Sequence, residues 1–361
     1  MTALEDKIIA EFKDGKASVE RTLLAVSGLE TEEAIYSYQR KLDFIQKDFE
    51  RSCPERAGNY QTAKSLFDYL WETKPKRYNG DFLLAKVIDN QLDEDKDKTV
   101  GNCVGLTSLY SVLGRRLDLD MAVLASYEHF LTIFYDGERA IAVENVKRSG
   151  FDDVDALFKP EFRVGRLSLL VAETLNSRGY HKEDSGDLQG ALADYNTAIG
   201  LEPDNAVIIN NRGVIKYTSK DFNGALADYN LAIELKPDVA FAFNNRGNVK
   251  SNLGDFEGAI ADYNKAIELD PDYVSPFNNR GGIKADLGDF NGAITDFNRA
   301  IELDPDDAYS FNNRATIKEE LGDFEGALAD YNRAIELKPD HFKAIHNKKR
   351  VLEMITSSKN I

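Results

Sequence analysis

Between Ala240 and Tyr273 the chain reads AFAFNNRGNVKSNLGDFEGAIADYNKAIELDPDY, and close copies begin at Ala206, Val274 and Ala308, 34 residues apart. A more divergent copy begins at Ala172. A fixed period of this length constrains the fold more than composition can. Each copy must take the same structure, and none can bury its apolar face except against its neighbours. In the copy at Ala240, Phe243 and Gly247 belong to a first helix, Gly254 suits the left-handed residue that ends it, and Asp255 suits the N-cap of a second. Ala259, Tyr263 and Ala266 fall on one face of that second helix, and Pro271 stops it. The small residues Gly247, Ala259 and Ala266 allow close helix approach. The expectation is five helix pairs over residues 172–341 and a closing helix, FKAIHNKKRVLEMI.

These positions resemble the tetratricopeptide repeat (TPR) family over about half the chain. The resemblance implies an all-α, right-handed solenoid with a concave groove lined by the first helix of each repeat. It also implies a protein or peptide ligand in that groove. Asparagine pairs recur there, at Asn210 and Asn211, Asn244 and Asn245, Asn278 and Asn279, and Asn312 and Asn313. An amide offers donors and an acceptor, so such a row suits the backbone of an extended peptide. The competing reading is that one member of each pair packs or caps. Some family members hold a C-terminal carboxylate with Lys and Arg in the groove. The matching positions here are mostly Asn, Ser, Val or aromatic, so that mode is not expected. Arg178, Arg212, Arg246, Arg280 and Arg314 hold one repeat position, and Asp194, Asp228, Asp262, Asp296 and Asp330 another. A ligand site should vary between repeats, and these do not. They are expected to form a structural ladder of ion pairs.

The N-terminal part has a different texture. Stretches such as TEEAIYSYQRKLDFIQKDFE and TAKSLFDYLWETK carry helical stripes, the second with Leu66, Tyr69 and Leu70 on one side. Asn102 is a good N-cap, and Leu106, Leu109, Tyr110, Leu113 and Leu117 then mark a helix whose first turn holds Cys103. Beyond it the period shortens to two in MAVLASY, HFLTIFYDG and RAIAVENV, read as three strands, with a hairpin signal at Asp136–Gly137. The fold class expected is an α+β domain over residues 1–165, followed by the repeat array over residues 166–361.

From Thr62 to Gly150 this order resembles the transglutaminase-like superfamily, which has a papain-type cysteine hydrolase core. GNCVGLTSLYSVLGRRLDL, YEHFLTIFYDG and AIAVENV carry the resemblance. By position it implies Cys103 as nucleophile, His129 as base and Glu144 as the group orienting the imidazole, with Asn145 the neighbouring alternative. The chemistry is coherent. A helix N-terminus and a nearby imidazolium lower a thiol's pKa, and the thiolate can attack an acyl carbon. The imidazole then returns a proton to the leaving amine. Gln91 and Asn102 are candidate oxyanion donors, neither assignable from sequence.

Charge and composition narrow the remaining classes. The net charge is −17 with no long basic run, so nucleic acid is not an expected partner. No signal peptide or apolar membrane run is visible, and two cysteines, Cys53 and Cys103, make no disulfide framework. These features suggest a cytoplasmic protein. No phosphate loop, HExxH or zinc-type Cys/His spacing occurs, so neither a cofactor nor a metal is implied. DEDKDK, from Asp93 to Lys98, imitates a calcium loop but has Lys98 where Gly is needed and Val104 where Glu is needed. His181, His341 and His346 lie in or beside repeats and are read as incidental. Two functions remain. One is a cysteine amide hydrolase or acyltransferase whose repeats recruit a protein or peptide. The other is a catalytically silent scaffold whose repeats bind partners, with oligomeric state open in both.

Overall fold

Two compact units, Met1–Arg212 and Gly213–Ile361, make up the chain. A computed structural model describes residues 1–54, 58–74, 81, 83–95, 99–125, 130–136, 139–143, 145, 163–165 and 167–358. The first unit opens with α1 (Ala3–Lys13), α2 (Val19–Val26), α3 (Glu32–Ser52), α4 (Gly58–Thr73), α5 (Leu84–Leu92) and α6 (Cys103–Arg116). Thr2, Ser18 and Thr31 cap the first three, each hydroxyl accepting from a backbone N–H three residues on at 3.1–3.2 Å. Helix α6 is the centre. Val104, Leu106, Leu109, Tyr110 and Leu113 are buried, and the Tyr110 hydroxyl donates to the Ala63 carbonyl at 2.7 Å. Leu117, expected on the same stripe, is the half-buried C-cap.

Strands β1 (Asp120–Ala125), β2 (Phe130–Asp136), β3 (Arg139–Val143) and β4 (Arg163–Gly165) form one antiparallel sheet in the order β3-β2-β1-β4. The three strands read from alternation are present, and Asp136 faces Arg139 where the hairpin closes. The fourth is additional. A three-residue strand has no alternation to detect, and its pairing of Leu124 with Val164 comes from the tertiary fold. The unit also holds the first helix pair, α7 (Ser168–Asp184) and α8 (Leu188–Leu201), and the start of α9 (Ala206–Thr218). Helix α7 begins four residues before Ala172, where the repeat text starts.

The second unit continues the pairs with α10 (Phe222–Leu235), α11 (Ala240–Asn252), α12 (Phe256–Leu269), α13 (Val274–Asp286), α14 (Phe290–Leu303), α15 (Ala308–Glu320) and α16 (Phe324–Leu337), and closes with α17 (Phe342–Ser358). Helices α11, α13 and α15 start on the first residue of each copy. Gly254, Gly288 and Gly322 end them at φ of 83°, 83° and 79°. Asp255, Asp289 and Asp323 then cap the second helices, each Oδ1 accepting from a glycine N–H at 2.9 Å. Gly247 is required by packing, because a Cβ there would lie 2.7 Å from Tyr263 Cε1. His341 also has a local role, its Nδ1 accepting from the Ala344 N–H at 3.2 Å at the start of α17.

The recurring charges form the expected ladder where they are described. Arg246, Arg280 and Arg314 grip Asp262, Asp296 and Asp330 with Nε and Nη2 at 2.6–2.9 Å, the bidentate geometry of a strong pair. Each aspartate also binds the lysine four residues after its arginine, Lys250, Lys284 or Lys318, at 2.8 Å. The arginine's remaining Nη1 donates to an asparagine of the preceding second helix, Asn230, Asn264 or Asn298, at 2.5–2.8 Å. One side chain therefore fastens its own helix pair and joins it to the pair before.

Candidate functional site

In the first unit, close approach of the chain sets up the start of α6. A Cβ on Gly101 would meet Asp81 O at 2.9 Å and Val87 Cγ2 at 2.8 Å, so only glycine fits. The Asn102 N–H donates to that same Asp81 carbonyl at 2.7 Å, and its Oδ1 accepts from Gly105 N–H at 3.0 Å. Cys103 is thus the first residue of a capped helix of 14 residues, where the macrodipole favours an anion. The side chain of Cys103, and all of His129 and Glu144, lie outside the described residues.

The described neighbours fix the surroundings. A three-residue connection, Leu117–Leu119, joins α6 to β1, and Gly114 packs on Met121 beside it. Fourteen helical residues span about 21 Å and six strand residues about 20 Å, so β1 runs back to the level of the helix start. Phe130 pairs with Ala125, and Val143 pairs with Thr132, so β2 begins and β3 ends at that same end of the sheet. A cavity of about 920 Å3 opens at the opposite end, against Arg115, Asp120 and Tyr135, away from the start of α6. Asn145 is buried with its Nδ2 donating to Thr132 Oγ1 at 2.8 Å. Gln91 is buried too, its Nε2 donating to Thr73 Oγ1 at 2.8 Å.

In the second unit a groove of about 410 Å3 lies along the first helices, with Asn248, Asn279, Asn313 and Asp286 among its walls. The asparagine pairs divide by depth. Asn244 and Asn312 are buried, as Asn210 is in the first unit, whereas Asn245, Asn278, Asn279 and Asn313 are half-buried. Asn278 turns aside to Asp307 Oδ2 and Ser310 Oγ at 2.9 and 2.7 Å. Asn279 Nδ2 donates to both Asn244 Oδ1 and Asn248 Oδ1 at 3.0 Å, and the Tyr263 hydroxyl donates to Asn248 Oδ1 at 2.8 Å. In the first unit, Asn211 makes the matching bond to Asn176 at 3.0 Å. Packing therefore takes part of the row, and the half-buried Asn278, Asn279 and Asn313 line the groove. Asn248, which belongs to no pair, was not legible as a site residue, because Val214, Gly282 and Thr316 hold its position in other copies.

Models described as tetratricopeptide repeat match residues 177–240, 240–273 and 308–341, and one described as TPR repeat matches 281–322. No curated protein is significantly similar to the chain. Among solved structures it is similar to YrrB, described as a TPR protein with an unusual peptide-binding site, at 24% identity over 49% of this chain and 92% of that one, TM-score 0.39. It is also similar to a thermophilic TPR protein of Thermus thermophilus at 18% identity over 50% and 98%, TM-score 0.45. A third, a tetratricopeptide repeat protein from Parabacteroides merdae, shares 22% identity over 52% and 75%, TM-score 0.44. The C-terminal half of the chain is a tetratricopeptide repeat array.

Proposed function

We propose that the protein is an interaction scaffold whose repeat groove binds an extended segment of a partner protein. One observation carries this reading. The amide network commits one side of Asn248, Asn279 and Asn313 and leaves the other open, whereas both ends of Asn278 are taken by Asp307 and Ser310. Among the described residues, Asn248 Nδ2, Asn279 Oδ1 and Asn313 Nδ2 take no hydrogen bond. They alternate donor and acceptor, as an extended backbone requires. The test is binding of clones selected from a random decapeptide display library on the full chain. Asn279→Ala with Asn313→Ala, checked for retained helicity, should weaken binding by about tenfold or more, the loss of two hydrogen bonds of about 1 kcal/mol each. Unchanged binding by the folded variant removes the reading.

A second reading concerns the first unit, a cysteine amide hydrolase or acyltransferase built on Cys103, His129 and Glu144. Two observations favour it. Cys103 begins a capped helix at the level where β2 begins and β3 ends. Asn145 is fixed by its Nδ2 donating to Thr132, and a carboxylate at the neighbouring position would be the stronger acceptor for an imidazole N–H. The repeats would then raise the effective concentration of a recruited substrate. Alkylation of Cys103 against pH, followed by peptide mass in a Cys53→Ser background, tests this. An apparent thiol pKa lowered from about 8.5 is expected, and His129→Ala should raise it. A value that stays at about 8.5 and ignores His129→Ala ends the case for an activated nucleophile.

A further inference from the structure

Gly281 and Gly282 stand side by side in α13 for opposite reasons. A Cβ on Gly281 would press on Phe297 Cε1 at 2.8 Å, so packing demands that glycine. A Cβ on Gly282 would meet nothing within 4 Å. A glycine inside a helix costs about 1 kcal/mol relative to alanine, and here no close contact offsets that cost. Gly282 opens into the groove instead, at the repeat position where other copies place Val214, Asn248 and Thr316. The missing side chain leaves a slot floored by the helix, with Ile283 beside it and Tyr217 and Tyr263 in the wall.

Charge decides what such a slot accepts. Asp286 lies one turn beyond Gly282 on the same face, at the last residue of α13, where the helix dipole is negative. Among the described residues it has no ion-pair partner. The cations of these first helices are already taken. Lys216, Lys250, Lys284 and Lys318 each bind a ladder aspartate at 2.8 Å, as do Arg246, Arg280 and Arg314 at 2.6–2.7 Å. The groove wall holds no Lys or Arg among its described residues. A guest cation therefore meets an uncompensated carboxylate with amides beside it.

Resting on the reading of the groove as a peptide site, we infer that its ligand is a basic peptide. One lysine or arginine enters above Gly282, lays its stem along Ile283 and the tyrosine rings, and ends at Asp286. The pairing is a charge-assisted hydrogen bond, and the apolar stem accounts for the emptied helix position.

The test uses fluorescein-labelled decapeptide pools of alanine, serine and glycine with one central position fixed as Lys, Arg, Met or Glu, read by anisotropy on the full chain. The Lys and Arg pools should bind about tenfold tighter than the Met pool, the scale of one charge-assisted contact. Gly282→Leu changes no charge and fills the slot, so it should bring the Lys pool down to the Met pool. This separates slot binding from general attraction to a chain of charge −17. Asp286→Asn should reduce the Lys pool and spare the Met pool. Equal Lys and Met pools that both respond to the Asn279→Ala and Asn313→Ala pair would overturn the basic slot and leave the groove reading intact. A Lys preference that survives Gly282→Leu would overturn the slot as well. Pools that ignore the asparagine pair, or fail to bind, would overturn both.

Discussion

The first repeat and the inner repeats carry the same arginine but give its free arm to different partners. Arg246, Arg280 and Arg314 reach back to an asparagine of the preceding helix pair. Arg178 has no preceding pair, and its Nη1 donates instead to the Val26 carbonyl at 2.7 Å and its Nη2 to Glu5 Oε1 at 2.5 Å. Helices α1 and α2 thus stand where an earlier repeat would. A second departure agrees with this. Glu234, Glu268, Glu302 and Glu336 share a position at which the first repeat has Gly200, and a Cβ there would lie 2.6 Å from Lys13 Nζ. The end of a solenoid is specified by the few residues that stop repeating, and these match their covering helices.

The arginines offer the hardest test of that contrast. Arg178→Ala strands Glu5, which is 2% exposed, while among the described residues Asp194 keeps Lys182 alone. Breaking a buried ion pair from one side costs roughly 3–5 kcal/mol. Arg280→Ala should cost less, because Lys284 still holds Asp296 and the Asn264 amide it releases is exposed to water. Urea unfolding of both variants checks this. Equal losses would mean that Glu5 does not depend on Arg178 as a buried charge.

Tyrosines extend the comparison to pH. Burial raises the pKa of Tyr195, of Tyr263, and of Tyr331, the last to about 12. Above pH 10 an unfolded tyrosine loses its proton while these keep theirs. The folded state then binds more protons, so stability is full below about pH 10 and falls as pH rises. The first repeat again differs, since among the described residues the Tyr195 hydroxyl has no hydrogen-bond partner, whereas those of Tyr263 and Tyr331 donate to Asn248 and Glu319. Tyr195→Phe should therefore be neutral or stabilising at pH 7, and Tyr263→Phe should cost about 1 kcal/mol. Thermal melts at pH 7 and 11 read both effects.

Legibility in the sequence followed the same division. Because the inner repeats are copies, their helix starts, their aspartate caps and the Arg–Asp pairs could be read from period alone. The lysines sharing those aspartates and the asparagines taking the third arm recur equally, yet their pairing depends on three-dimensional registry between helices. Gly200 and Glu5 carry no signal until α1 and α2 are seen covering the first repeat. In the α+β part, alternation gave β1 to β3 and the cap gave the start of α6, whereas β4 rests on pairing alone. The asparagine pairs were visible as a row, but only the hydrogen bonds show which atoms remain for a ligand.

Adjacent glycines in α13 give a smaller contrast with opposite signs. Gly281→Ala must move the Phe297 ring and should cost about 1 kcal/mol or somewhat more. That cost is at the low end because Ala315 already faces Tyr331 in the next repeat, where both side chains are buried. Gly282→Ala meets nothing and should stabilise by up to about 1 kcal/mol through helix propensity. Urea midpoints that shift in the same direction would show that the two positions do not differ as their surroundings indicate.

The smallest effect lies at a turn where one copy breaks the pattern. Gly254, Gly288 and Gly322 end their helices in the left-handed region, and Lys220 holds the same place in its copy at φ of 64°. A side chain with a Cβ is strained there by about 1 kcal/mol, and Lys220 is exposed, with no packing to compensate. The Lys220 N–H still donates to the Tyr217 carbonyl at 2.9 Å, and the Asp221 N–H to Lys216 O at 2.8 Å, so the turn is complete despite the strain. Lys220→Gly removes the strain and leaves both bonds. Glycine also makes the unfolded chain more flexible, which offsets part of the gain. A net stabilisation of a few tenths to about 1 kcal/mol is expected, read as a raised urea midpoint at unchanged slope. A lowered midpoint would mean that Lys220 contributes something beyond its backbone, setting this copy apart from the inner repeats as Arg178 sets apart the first.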